Sequence, residues 1–193
     1  MKTPMYDDSD MKVVGETLGN LTEPSEETAD AAAQLWTREK ANGNVAKARR
    51  AGAILAGIVL SDESFSSIDG ISDDDLHVQR FALATFAVEV GFDAFLPNGI
   101  LSETAQDMFE HTLKITAPEW YDVLSQTGAI SFYYLSIRSA RGQSGAGIGD
   151  TFATLCGLPG SKACIKKGNA LYLSVLSRIK TLTDSLQFAG NEL

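Results

Sequence analysis

At 193 residues, 44% of them hydrophobic and 21% charged, the chain can bury one sizeable core; it is too apolar for a disordered protein and too polar for a membrane bundle. A net charge of −9 and an isoelectric point near 4.7 argue against a nucleic-acid binder, which needs a concentrated basic face to neutralise phosphates. Two cysteines fit reduced thiols, no apolar segment follows Met1, and the longest apolar run (residues 51–60) falls short of the roughly 20 residues that span a bilayer. The expectation is a cytoplasmic protein with no signal peptide and no membrane association.

Residues 1–24 are rich in Asp, Gly, Thr and Pro, hold no sustained apolar period, and read as a flexible acidic arm ahead of a single domain over residues 25–193. Ser25-Glu26-Glu27-Thr28 supplies a capping hydroxyl and first-turn acids, so a helix is expected there. Ala29, Ala32, Ala33 and Trp36 follow at i, i+3, i+4 and i+7 as its buried stripe. Asn42-Gly43-Asn44 ends that helix and starts the next, over residues 45–60. The second helix is built from Ala48, Ala51, Gly52, Ala53, Ala56 and Gly57. Each glycine weakens an isolated helix by about 1 kcal/mol relative to alanine, so another helix must pack closely against it. Residues 61–75 read as a polar loop, with Ser72 and Asp75 bracketing a capping box.

A third helix, residues 76–90, is apolar almost all round, which predicts a central position, with Gly91 as its end. Pro97-Asn98-Gly99 marks a turn and Ser102 a cap for the fourth helix, whose stripe is Leu101, Ala105, Met108, Phe109 and Thr112. A turn over residues 119–125 follows Pro118. The fifth helix, residues 129–139, is again apolar nearly all round and is also expected to be central. After a Gly/Ser linker at residues 142–149, Asp150 caps a short helix, and a long amphipathic helix over residues 169–188 closes the chain. Alternating β segments and internal repeats are both lacking. The fold class is therefore all-α: one bundle of about six to eight helices, two or three of them central and apolar.

Chemistry-bearing patterns are few. The two histidines sit in neither HExxH nor Glu-x-x-His, and two cysteines cannot build a Cys₄ or Cys₂His₂ zinc site. Nucleophile-elbow, P-loop and dinucleotide fingerprints do not occur, so neither a cofactor nor a metal is expected. Glu103, Asp107 and His111 align along one helix face, which reads as a solvated polar surface rather than a metal site. The glycines of the linker, flanked by Arg138 and Arg141, could present amides to a phosphate, but Asp150 already occupies that positive helix end. Glu89 stands out because it lies inside the most apolar helix, where a carboxylate must find a partner or hold its proton. A salt bridge to Arg138 or Arg80, or exposure beside Gly91, is its structural reading; a ligand-orienting or acid/base role is the functional one.

Charge is sorted into blocks. Eight acids face two lysines over residues 1–30, and thirteen acids face two bases over residues 61–124. Residues 31–60 carry five bases against Glu39 alone, and residues 125–193 carry seven bases against three acids. The leading expectation is a non-enzymatic interaction or regulatory protein whose acidic surface, with Asp73, Asp74 and Asp75, binds a basic partner. The alternative is a small-molecule-binding helical protein or enzyme with an inter-helix pocket around Glu89, Arg138, Tyr133 and Tyr134. Self-association is a third possibility, suggested by the small-residue helix and the C-terminal stripe.

Overall fold

A computed structural model describes the backbone of residues 26–61, 67–139 and 147–190. The expected arm and most of the Gly/Ser segment lie outside the described residues. Among those described there are eight helices and no strand: α1 (Glu26–Ala41), α2 (Asn44–Ser61), α3 (Asp73–Phe95), α4 (Gly99–Thr116), α5 (Pro118–Thr127), α6 (Ala129–Ser139), α7 (Ile148–Leu155) and α8 (Lys162–Leu186). The chain divides into two units, Met1–Leu35 and Trp36–Leu193, and only the opening of α1 is described in the first. Everything below concerns the second.

The all-α expectation holds. Helix α2 meets the partner its small residues require, and that partner is α4. A Cβ at Gly52 would fall onto the carbonyl oxygen of Ala105 and lie 2.9 Å from the amide nitrogen of Phe109. Only glycine lets these two backbones come so close, and Ala48, Ala51, Leu55 and Ala56 complete a fully buried seam. At the start of α3, Ser72 Oγ accepts from the Asp75 amide at 3.1 Å and donates to the Asp75 carboxylate at 2.6 Å, as the capping pattern anticipates. The interior of α3, from Phe81 to Val88, is buried continuously, which makes it the central helix.

Several boundaries differ from the sequence expectation, each for a packing reason. Gly91 does not end α3, which runs on to Phe95. A Cβ there would strike Ile179 Cδ1 and lie 3.3 Å from Leu176 Cδ2, so the glycine admits α8 rather than capping a helix. Asn98 caps α4, accepting from Leu101 N at 3.1 Å, and Ser102 sits one turn inside it. The stretch after Pro118 is a helix, because proline is well placed in a first turn and its missing N–H would be unbonded there anyway. Helix α8 begins at Lys162, seven residues before the expected start at 169, capped by Ser161, whose hydroxyl accepts from Cys164 N at 3.4 Å. Trp36 is 37% exposed rather than buried. Helix α6 has the bounds its sequence implies but not the central place: it packs on α3 and α7 and leaves half its surface to solvent.

A polar knot ties the ends of the second unit together. Glu39, the lone acid of a basic block, is buried, and so is Asn44. Asn44 Nδ2 donates to Glu39 Oε2 at 2.6 Å and to the carbonyl of Ala189 at 2.7 Å, while its Oδ1 accepts from Ala189 N at 2.9 Å. Asn98 Nδ2 and Arg38 Nη2 reach the other carboxylate oxygen at 3.2 and 3.3 Å. The first residue of α2 and the cap of α4 therefore share one buried carboxylate, and Asn44 ties the tail behind α8 to it.

Candidate functional site

At about 100° per residue, α6 turns Ala129 and Tyr133 inward, with Phe132 and Leu135 about 60° apart on one side of its outer face and Tyr134 toward the other. Tyr133 is fully buried and stacks on Phe86, with ring centroids 5.2 Å apart. Phe132 is 54% exposed, Leu135 58% and Tyr134 41%. Scattered apolar residues on a surface need no explanation, but Phe132 and Leu135, three positions apart on one side of the helix, form a short exposed ridge, with Tyr134 toward the other side.

Carboxylates line one edge of that ridge. The Tyr134 ring meets Phe86 edge-on at 5.1 Å, and its hydroxyl donates to Glu89 Oε2 at 2.7 Å. Gln106 Nε2 donates to Glu89 Oε1 at 3.4 Å and to Glu110 Oε1 at 3.1 Å, so one amide bridges α3 and α4. Asp93, one helical turn beyond Glu89, accepts from Ser102 Oγ at 2.5 Å. Burial pushes the Glu89 carboxyl above its ordinary value; the Tyr134 hydroxyl opposes this, and the charges of Glu110 and Asp93 reinforce it. Burial together with the Glu89 carboxylate raises the Tyr134 phenol in turn. Among the described residues no ion pair reaches Glu89, Asp93 or Glu110. Three carboxylates thus stand on neighbouring turns of α3 and α4, each hydrogen-bonded to a neutral donor, and the charge of Lys114 acts on Glu110.

The sequence reading joined Glu89, Tyr133, Tyr134 and Arg138 in one pocket. Glu89 and Tyr134 do meet. Tyr133 instead belongs to the core, where its hydroxyl has no hydrogen-bond partner and burial, with Cys156 and Cys164 nearby, pushes its phenol pKa up. The side chain of Arg138 lies outside the described residues. Asp73, Asp74 and Asp75 are exposed in the first turn of α3, where they complement the helix dipole. They stand some fourteen residues, about 21 Å of helix, from Glu89 and form a separate patch.

A cleft bounded by Leu55, Ala84, Leu171, Val175, Arg80 and Arg178 includes neither Glu89 nor any residue of α6. Its cavity of about 10 Å³ holds a water molecule rather than an organic ligand. Glu103, Asp107 and His111 are exposed, and no group of three or more His, Cys, Asp or Glu side chains among the described residues could hold a metal ion. At the start of α7 the Gly149 amide donates to Asn169 Oδ1 at 2.9 Å, so α8 already occupies part of the helix end considered for phosphate. Cys156 and Cys164 are free thiols buried side by side, each shifting the other's ionisation.

The contributions of Gln106, Glu110, Phe132 and Leu135 were not visible in the sequence. Four-residue spacing from Gln106 to Glu110 marks a shared face, but the face of α3 it meets depends on helix packing. No described helix is long and apolar enough to cross a membrane. Comparison with protein-family models, curated proteins and solved structures finds no match.

Proposed function

We propose that the chain is an interaction protein that docks a basic amphipathic segment on α6, with the partner's apolar side chains over Phe132, Leu135 and Tyr134 and its cations against Glu89, Asp93 and Glu110. The observation that carries this reading is exposed apolar surface on α6 together with Glu89 and Asp93, carboxylates whose hydrogen-bond donors among the described residues are all neutral. Charge selects the partner: an acidic chain repels anionic surfaces, and buried apolar area supplies the affinity while the carboxylates set orientation and on-rate. Asp73, Asp74 and Asp75 add to the acidic field that steers a basic partner without touching it.

A synthetic helical peptide of leucine and lysine, with its leucines on one face, tests the reading by fluorescence anisotropy. Binding should weaken as salt rises, because exposed charges are screened over about 8 Å at physiological ionic strength. Leu135→Asp and Glu110→Lys should each reduce affinity at least tenfold, while Asp73→Asn should alter mainly the association rate. Equal affinity for the wild type and both α6-site variants would end the proposal.

A further inference from the structure

The chain itself carries a surface of the kind this site fits. Along α8, Lys166, Ala170, Leu173, Ser177 and Lys180 follow at intervals of four, three, four and three, which keeps them within about 40° of one line. All five are exposed, and Leu173, at 62%, is an apolar knob standing about 10 Å from a lysine on either side. Lys162 extends the stripe toward the start of the helix. Lys180 holds Asp184 at 2.7 Å in a pair exposed on both sides, a contact that a better-placed carboxylate can replace at little cost. The stripe is thus apolar at its centre and basic at its flanks, and the α6 site is apolar along its ridge and acidic along its edge.

Resting on the docking reading above, we infer that the occupant of the α6 site is the α8 face of a second copy of this chain. The two surfaces share no residue, so the contact is heterologous and copies add head to tail, ending only where a ring closes. Leu173 packs between Phe132 and Leu135, and the α8 lysines meet Glu89, Asp93 and Glu110.

Complementation between two variants tests it. One disables the α6 site (Leu135→Asp with Glu110→Lys), and the other disables the α8 stripe (Leu173→Asp with Lys166→Glu). The substituted side chains are exposed or half-exposed, and circular dichroism confirms that each variant is folded. In sedimentation velocity from micromolar to millimolar protein, the weight-average mass of the wild type should rise with concentration. Each variant alone should stay monomeric, and the equimolar mixture should form a one-to-one dimer that grows no further, because one intact half-site survives on each member. A wild type that stays monomeric throughout, a variant that still assembles alone, or a mixture that does not dimerise would overturn the inference. If the wild type stays monomeric yet binds the leucine–lysine peptide through α6, the docking reading stands and only the second-copy assignment falls. If it does neither, both fall.

Discussion

Asn44→Ala probes the polar knot on which the second unit closes. The side chain donates to a buried carboxylate and exchanges two hydrogen bonds with the Ala189 backbone. A bond to a charged acceptor contributes about 1.5–3 kcal/mol, and each neutral bond about 0.5–1.5 kcal/mol. Shared partners make these terms less than additive, and Glu39 keeps Asn98 and Arg38 as donors. The expected loss is therefore about 3–4 kcal/mol, which lowers the melting temperature of a chain this size by roughly 10 °C. Urea unfolding should show a lower midpoint at an unchanged m-value, and hydrogen exchange at the Ala189 amide should become fast. Asn44→Asp provides the internal control. It retains the acceptor for the Ala189 amide but sets a second carboxylate 2.6 Å from Glu39 Oε2, so it should cost more than alanine. A loss below about 1 kcal/mol for Asn44→Ala, or an aspartate milder than the alanine, would refute the picture of a buried carboxylate that depends on the Asn44 amide.

Glu89 should behave unlike a salt-bridged core carboxylate. Its folded-state pKa is raised by burial, so its contribution is present below the unfolded value and lost as pH rises through the folded one. Glu89→Gln should therefore flatten that part of the stability profile and be more stable than the wild type at neutral pH, while weakening peptide docking; a destabilised Glu89→Gln at pH 7 would reveal a compensating cation. His77 stacks on Trp120 with centroids 4.4 Å apart, and burial together with Arg80 lowers its pKa. The neutral ring is thus favoured, and stability that is present above the unfolded pKa is lost as pH falls through the folded one. In a Trp36→Phe background, Trp120 fluorescence should drop in acid as the imidazolium forms, and His77→Phe should abolish the transition. Burial pushes the Cys156 thiol up to about 12 and raises Cys164 as well. A thiol-disulfide reagent at pH 8 should therefore label both only after denaturation; rapid labelling of the native protein would place the turn between α7 and α8 in an open state.

Local chemistry was legible in the sequence wherever one element determines its own form. Ser72 with Asp75 started α3, and the glycines and alanines of α2 demanded a close neighbour, whereas Pro118 was read as opening a turn where α5 in fact begins. The fold class and α2, α3, α4, α6 and α8 followed from apolar periodicity, since a helix must bury its stripe. Which helix meets which depends on side chains far apart in sequence, and there periodicity is silent. Gly91 has the composition of a helix stop, yet it serves as the notch for Ile179, 88 residues further on. Glu39 looks like one more surface acid until Asn44, Asn98 and the tail enclose it. Helix α6 shows the limit most clearly. An apolar sequence sets a helix's hydrophobicity all round, but only its neighbours decide how much of that surface is covered, and α3 and α7 cover half of it. Sequence alone thus determined the helices other than α5 and the partition of charge; tertiary packing decided that Tyr133 is core, that Tyr134 meets Glu89, and that apolar side chains of α6 face solvent near carboxylates from two other helices.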